Sequence, residues 1–128
     1  MMNVQNIIDR LREIMEDETL VQLKEELNGY HVADLADIFQ ELKPDERLHC
    51  FKLLDISKAA DIMEYLPPQM QVELLSDIDE NLASQILTQL PHDAAADVLG
   101  DMEDDESETY LDKLPHKFSE EVRELLTY

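Results

Sequence analysis

The sequence predicts an all-α fold, a solenoid of about ten short helices built from twelve-residue units. The first observation is a set of apolar residues that recur every twelve positions: Leu42, Leu54, Leu66, Ile78, Leu90, Met102, Leu114 and Leu126. The second is that apolar residues also stand three and four positions before these closing residues, a spacing that marks one helix face, except that the last unit has Arg123 beside Val122. Such a fixed short period is typical of stacked arrays. The third is that two glycines and five prolines in 128 residues leave few turns for a sheet.

Proline divides the units into two kinds. Pro67, Pro91 and Pro115 are twenty-four residues apart, and each directly follows a closing residue, whereas the alternate units close without proline. The structural repeat is therefore a pair of unlike helices. Each unit leaves roughly nine residues of helix, about 13 Å in length. Helices this short are unstable alone, so they have to pack against neighbours.

The first thirty residues lie outside this register and are predicted to form two capping helices. An apolar stripe places the first over residues 3–16. Thr19 and Gln22 have the spacing of a capping box for the second, and Asn28-Gly29 predicts a left-handed cap at its end. We therefore expect a single domain over 1–128, with capping helices in 1–30 and eight units in 31–126.

Several short polar side chains stand near the predicted helix starts, where an oxygen atom can accept hydrogen bonds from free backbone N–H groups. These candidate N-caps are Asp45, Asp79, Asp93, Asp105 and Ser119.

The charge of the chain excludes several classes of partner. Its net charge is −21, from 31 acidic and 10 basic residues. A nucleic-acid backbone or an anionic membrane surface would be repelled, so neither is expected to bind. No apolar run approaches the roughly twenty residues that a bilayer crossing needs, so no membrane insertion by this chain is expected. Metal cations or basic protein surfaces are the expected partners, and the single cysteine, Cys50, is expected to be a buried, reduced thiol.

The sequence carries no recognisable catalytic motif. It lacks a glycine-rich phosphate loop, a His-Glu-x-x-His pair and a cysteine pair. Residues 77–88 begin like a calcium loop but have Leu82 where the glycine belongs and Thr88 where the closing glutamate belongs. His92 and His116 each follow a repeat proline, so the repeat explains them better than a zinc site does. An enzyme is therefore not expected.

What remains is a high density of carboxylates on a repeating scaffold. Asp37, Asp61 and Asp97 share one phase, five residues before a closing residue, and Asp93 lies one turn before Asp97. Equivalent positions of a solenoid form a stripe, which would suit a weak Mg²⁺ or Ca²⁺ site completed by water. The alternative is that these acids are simply favoured by helix dipoles. The acidic run 101–108 also has two interpretations: it is either a solvated helix start or a weak cation site.

Three segments resemble the N-terminal cytosolic domain of MgtE-type magnesium transporters, a likeness that extends over nearly the whole chain: His31–Phe39, Lys58–Leu66 and Leu90–Leu99. The resemblance implies a right-handed superhelix, followed downstream by paired CBS domains and a dimeric transmembrane channel. It places the domain at the cytoplasmic face of the bacterial inner membrane. Mg²⁺ bound between this domain and the CBS domains would hold the channel closed.

The resemblance also implies a ligand set. The acids of this chain that match the family's ligand positions are Asp61, Asp93 and Asp97. One departure is visible, because Ala94 follows Asp93 where the family often has two acids in a row. The chain therefore lacks one potential ligand or cap at this point.

Two functions compete. The favoured one is a regulatory, Mg²⁺-sensing domain of a magnesium transporter, which works as a homodimer in the full-length protein. The alternative is an ion-independent scaffold of helical repeats, such as a FliG-like flagellar motor switch domain. A scaffold predicts a basic or apolar docking patch, and the strong acidity argues against it. Two CBS repeats and several hydrophobic spans encoded after Tyr128 would decide for the transporter.

Overall fold

The structure is a computed structural model that describes residues 3–17 and 20–126, and these residues form ten α-helices and no strand. The helices are α1 Val4–Asp17, α2 Leu20–Asn28, α3 Val32–Glu41, α4 Pro44–Lys52, α5 Ile56–Met63, α6 Pro68–Asp77, α7 Glu80–Gln89, α8 His92–Asp101, α9 Asp104–Lys113 and α10 His116–Leu125. The all-α class and the number of short helices are confirmed. Thr19, predicted to belong to a capping box, lies outside the described residues. Within the described ranges, no helix has the length and apolarity that a bilayer crossing requires.

From α6 onward each unit consists of a ten-residue helix, one C-cap residue and one N-cap residue, whereas α4 and α5 have nine and eight residues. All helices from α6 to α10 have ten residues, and the closing residue of each unit is the C-cap. Leu90 and Leu114 leave the helix with ψ of 151° and 153°. Each precedes a proline, and helical backbone at that position would collide with the proline ring. The helices from α6 to α10 are thus slightly longer, and the links between them shorter, than the twelve-residue spacing alone predicts.

The closing residues are part of the core. Seven of the eight are less than a tenth exposed, and Leu126 is half-buried. Burying such a side chain contributes roughly 2 kcal/mol. The links between helices therefore stabilise the fold instead of forming solvated loops.

The chain divides into two compact units, Met1–Tyr65 and Leu66–Tyr128. In the first unit α1 packs against α2 and α3, and α3 packs against α5. In the second unit α8 packs against α6 and α10, and α7 packs against α9. Helices two apart in sequence are neighbours within each unit, which explains why the sequence repeats at twenty-four residues. The assignment of 1–128 to a single domain stays a prediction.

One repeat position, seven residues before the closing residue, donates hydrogen bonds to the end of the preceding helix. Buried Arg47 donates from Nε to the carbonyl of Phe39 at 2.7 Å and from Nη2 to that of Leu42 at 2.9 Å. Ser119 Oγ donates to the carbonyl of Leu111 at 2.8 Å. The last four carbonyls of a helix have no partner inside it, and each one left unpaired in the core costs about 1–3 kcal/mol. These side chains allow a short helix to end in the core.

Only one of the five predicted N-caps acts as a cap. Asp79 Oδ2 accepts hydrogen bonds from the backbone N–H groups of Asn81 at 3.1 Å and Leu82 at 3.3 Å. The prediction is wrong for the other four. Asp79 is itself the N-cap residue of α7, whereas the acids at the other helix starts come two residues later. Asp45, Asp93 and Asp105 stand two residues after the N-cap, inside the first turn, and Ser119 lies further into α10.

The left-handed cap predicted at Asn28-Gly29 is also wrong. The helix α2 does end at Asn28, but neither glycine of the chain has a positive φ. Gly29 N still donates to the carbonyl of Glu25 at 3.2 Å, so the backbone leaves through a right-handed turn. The Asn28 side chain closes the helix instead, because Nδ2 donates to the carbonyls of Lys24 at 2.8 Å and Leu53 at 3.2 Å.

The cysteine is placed as expected. Cys50 is a free thiol with no solvent exposure. Burial, with a smaller contribution from the charge of Glu46, raises the pKa of the Cys50 thiol to about 12. The side chain is therefore a protonated, essentially apolar part of the core at neutral pH.

A paired ionic contact joins α1 to α4 in the first unit. Arg12 donates from Nε to Glu46 Oε2 at 3.0 Å and from Nη2 to Glu46 Oε1 at 3.1 Å. The same carboxylate accepts from the backbone N–H of Lys43 at 3.0 Å, at the start of α4. These hydrogen bonds, that of Arg12 first, lower the pKa of Glu46 below its usual value.

The repeat provides a matched pair of serines that tests the role of the buried donor position. Ser107 occupies the same position as Ser119, but its buried Oγ has no hydrogen-bond partner among the described residues. We expect Ser119→Ala to lower the free energy of unfolding by about 1 kcal/mol and Ser107→Ala to leave it unchanged or raise it slightly. Urea unfolding of both variants measures this. Equal effects would contradict the role assigned to Ser119.

The contact between Arg12 and Glu46 predicts a pH-dependent stability difference. Because the folded-state pKa of Glu46 is lowered, the contribution is present above the unfolded pKa, near 4.5, and is lost as the pH falls through the folded value. Arg12→Gln should lower the free energy of unfolding at neutral pH and lower it much less near pH 3. Arg10→Gln, which removes only long contacts of 3.9 and 4.0 Å, is the control. The assignment would be contradicted if the difference in unfolding free energy between Arg12→Gln and the native chain were the same at low pH as at neutral pH.

Candidate cation site

Two of the three predicted ligands lie on the exposed face of α8. The helix buries Ala95, Ala96, Val98 and Leu99 against its neighbours, and its small residues allow close packing. Asp93 precedes these positions, Asp97 falls between them, and both are exposed. Being four residues apart, they lie on the same helix face, separated by about 6 Å along the axis. The pattern that buries one side of α8 therefore places two carboxylates side by side on the other.

The third predicted ligand, Asp61, is on α5 in the first unit. It is exposed because α5 buries the residues on either side of it, Ala60 and Ile62. Asp37, which shares its phase, is on α3, which packs against α5. It lines an open cleft of about 420 Å³ together with Gln40, Glu41 and the start of α1.

The single stripe predicted through Asp37, Asp61 and Asp97 does not follow from the structure. All three keep the same twelve-residue phase and are exposed. However, Asp97 belongs to a helix that begins after a proline, whereas the other two belong to helices of the other kind. The phase alone does not distinguish the two members of a helix pair.

The candidate ligands are unpaired. The carboxylates of Asp61, Asp93 and Asp97 form no hydrogen bond or ion pair within the part of the chain that the structure describes. Other acids are paired: Lys113 Nζ lies 2.6 Å from Glu80, and Arg123 is 2.8 Å from Glu108. The sequence has no lysine or arginine between Lys58 and Lys113. Counter-charge for these carboxylates therefore has to come from outside this stretch.

The donor set fits a hydrated Mg²⁺ ion. Within residues 3–17 and 20–126, no three acidic, histidine or cysteine groups come close enough to enclose a metal ion. Mg²⁺ does not need such a cage, since it keeps several waters and is often bound by only one or two carboxylates. Ca²⁺ takes about six to eight oxygen ligands and would need more of the protein. An exposed pair such as Asp93 and Asp97 matches the first requirement and not the second.

The acidic run 101–108 mostly forms the start of α9. Three of its acids lie in the first turn, where the helix dipole favours negative charge. Glu106 Oε2 accepts from Ser76 Oγ at 2.9 Å. The hydrogen bond from Arg123 lowers the pKa of Glu108. These contacts favour the solvated helix start over a cation site.

Comparison with known proteins decides the family. A family model described as the MgtE intracellular N domain matches residues 30–128. The chain belongs to this family. A comparison with curated protein sequences gives no match.

Solved structures agree with this MgtE N domain in fold. The soluble part of a magnesium transporter matches with a TM-score of 0.83 and 20% identity over 98% of this chain and 50% of that one. The cytosolic domain of the Mg²⁺ channel MgtE, in complex with ATP, matches with a TM-score of 0.86 and 28% identity over 94% of this chain and 50% of that one. The N domain thus spans about half the length of these two structures.

One contact of the MgtE N domain near the candidate site is not visible in its sequence. His92, the first residue of α8, places Nδ1 2.9 Å from Glu121 Oε2 on α10. Its ring meets the Phe118 ring edge-on, with 4.8 Å between centroids. His116 instead pairs with Glu120 of its own helix at 2.9 Å. The partners of His92 lie far away in sequence, and no local pattern points to them.

Proposed function

We propose that this domain senses Mg²⁺ for a magnesium transporter. A hydrated Mg²⁺ ion binds at Asp93 and Asp97 in the second unit, and Asp61 is a ligand in the first unit. Bound ions join this domain to the CBS domains of the same transporter and favour the closed channel. The observation that carries the proposal is the set of exposed, unpaired carboxylates in a stretch without lysine or arginine. Membership of the MgtE N-domain family supports it.

The proposed mechanism is electrostatic. Two carboxylates one turn apart repel each other by about 0.2–0.5 kcal/mol. A net charge of −21 also repels any second acidic domain that approaches. A divalent cation relieves both kinds of repulsion, while its remaining coordination positions hold exchangeable water. Ligands from a second domain can replace that water, so that the ion bridges the two surfaces.

The energy available for gating follows from linkage. A ligand shifts a conformational equilibrium only by the difference between its affinities for the two states. A tenfold preference for the closed arrangement supplies about 1.4 kcal/mol per ion. Weak sites are suited to this role, because their occupancy changes when the free ion concentration changes.

The proposal includes the setting of the domain. It works at the cytoplasmic face of the bacterial inner membrane, and the full-length transporter is a homodimer. No reaction is catalysed by this domain, and transport is the task of the membrane part. The ion-independent scaffold is the competing function, and it predicts the same behaviour with and without Mg²⁺.

Small-angle scattering tests the proposal on a longer protein in which this domain is joined to the CBS domains of the transporter. We expect Mg²⁺ to make this longer protein more compact. Combining Asp61→Ala with Asp93→Ala should raise the Mg²⁺ concentration at the midpoint by about tenfold or more, equivalent to about 1.4 kcal/mol. The control combines Glu25→Ala with Glu124→Ala, which removes the same charge from two other exposed positions.

Two results would contradict the proposal. One is the absence of Mg²⁺-dependent compaction, which is the outcome that the scaffold predicts. The other is an equal midpoint for the ligand variant and its control, which would show that charge alone acts and that the named carboxylates are not ligands.

A further inference from the structure

We propose that His92, Phe118 and Glu121 position Asp93 for cation binding by holding the first turn of α8 against α10. This inference rests on the proposed function, because Asp93 is one of its ligands. It assigns a role to a contact between helices that the cation site itself does not use.

The start of α8 has no cap of its own. Its N-cap residue is Pro91, whose side chain accepts no hydrogen bond. The first intrahelical bond runs from Ala95 N to the carbonyl of Pro91 at 3.0 Å. The N–H groups before Ala95 have no partner within the helix. The start of α7 differs, since Asp79 caps it with two hydrogen bonds. Contacts with a neighbouring helix can therefore add support to the turn that carries Asp93.

The helix α10 supplies that support. Glu121 Oε2 lies 2.9 Å from His92 Nδ1, and the Phe118 ring meets the imidazole edge-on at 4.8 Å with 70° between planes. The two contacts come from residues one turn apart on α10 and fix both the position and the plane of the ring. Toward the other end of α8, Leu126 Cδ2 lies 3.5 Å from where a Cβ atom on Gly100 would stand. Side chains from the α10 region thus contact α8 near both of its ends.

The repeat contains an internal comparison. His116 stands twenty-four residues after His92, also directly after a repeat proline and at the start of a helix. Its Nε2 pairs with Glu120 one turn further along the same helix, and the His116 side chain is 88% exposed. The first turn of α10 carries no acid, whereas the first turn of α8 carries Asp93. The helix start that is held from outside is the one that carries a candidate ligand.

Positioning matters because Asp93 and Asp97 can bind one ion together only while the turn between them is helical. A frayed first turn moves Asp93 away from Asp97 and leaves a single carboxylate. Residues that orient a ligand from behind commonly change metal affinity without touching the metal.

The test is a Mg²⁺ titration of the protein, followed through the NMR amide signals of residues 93–97. We expect Glu121→Ala to raise the dissociation constant for Mg²⁺ about threefold, less than the roughly tenfold typical of buried supporting residues, because this contact is half-exposed. Glu120→Ala removes the same charge from the neighbouring position and should change the constant far less. Glu121→Gln keeps an oxygen that can accept from His92 Nδ1–H, so it should behave like Glu120→Ala.

Amide exchange at Ala95 provides a second readout, which should accelerate in Glu121→Ala and not in Glu120→Ala. Equal dissociation constants for these two variants would overturn the positioning role and leave the proposed function intact. If Asp93→Asn instead binds Mg²⁺ as tightly as the native chain, the proposed function fails, and this inference fails with it.

Discussion

A helix of ten residues leaves about four N–H and four C=O groups unpaired at its ends, and the rest of this structure depends on how those ends are accommodated. Seven of the eight closing residues are buried, so most helices end inside the core. Arg47 and Ser119 donate to carbonyls of the preceding helix, and Asp79 accepts from the first N–H groups of α7. The links between helices are therefore short, and side-chain hydrogen bonds stabilise several of them. They hold each helix in a fixed rotation, which decides which side chains face water.

The candidate cation site is a consequence of that fixed rotation. The face of α8 that buries Ala95 and Val98 leaves Asp93 and Asp97 exposed, one turn apart and without a counter-charge. Neither residue needs a special loop or a strained backbone. The same helix pattern therefore produces a buried face on one side of α8 and an exposed acidic face on the other.

The features that were predictable from the sequence are those set by local spacing. Twelve-residue periodicity is enough to predict the all-α class, the number of helices and the burial of the closing residues. The left-handed cap at Gly29 was predicted wrongly, because the Asn28 side chain closes α2 through a contact with a residue far along the chain. The contacts of Arg12 and His92 depend on packing between distant segments. The burial of Arg47 could have been predicted, because the same repeat position is a buried alanine in several other units.

Localising a bound divalent cation tests the central claim most directly. Mn²⁺ has ligand preferences close to those of Mg²⁺ and broadens the NMR signals of nearby nuclei, so a titration with trace Mn²⁺ maps where the ion resides. We expect the strongest broadening in the second unit at the amides of residues 93–97, and we expect excess Mg²⁺ to reverse it. Broadening that is spread evenly over all acidic surfaces, or that is strongest in the run 101–108, would contradict the account.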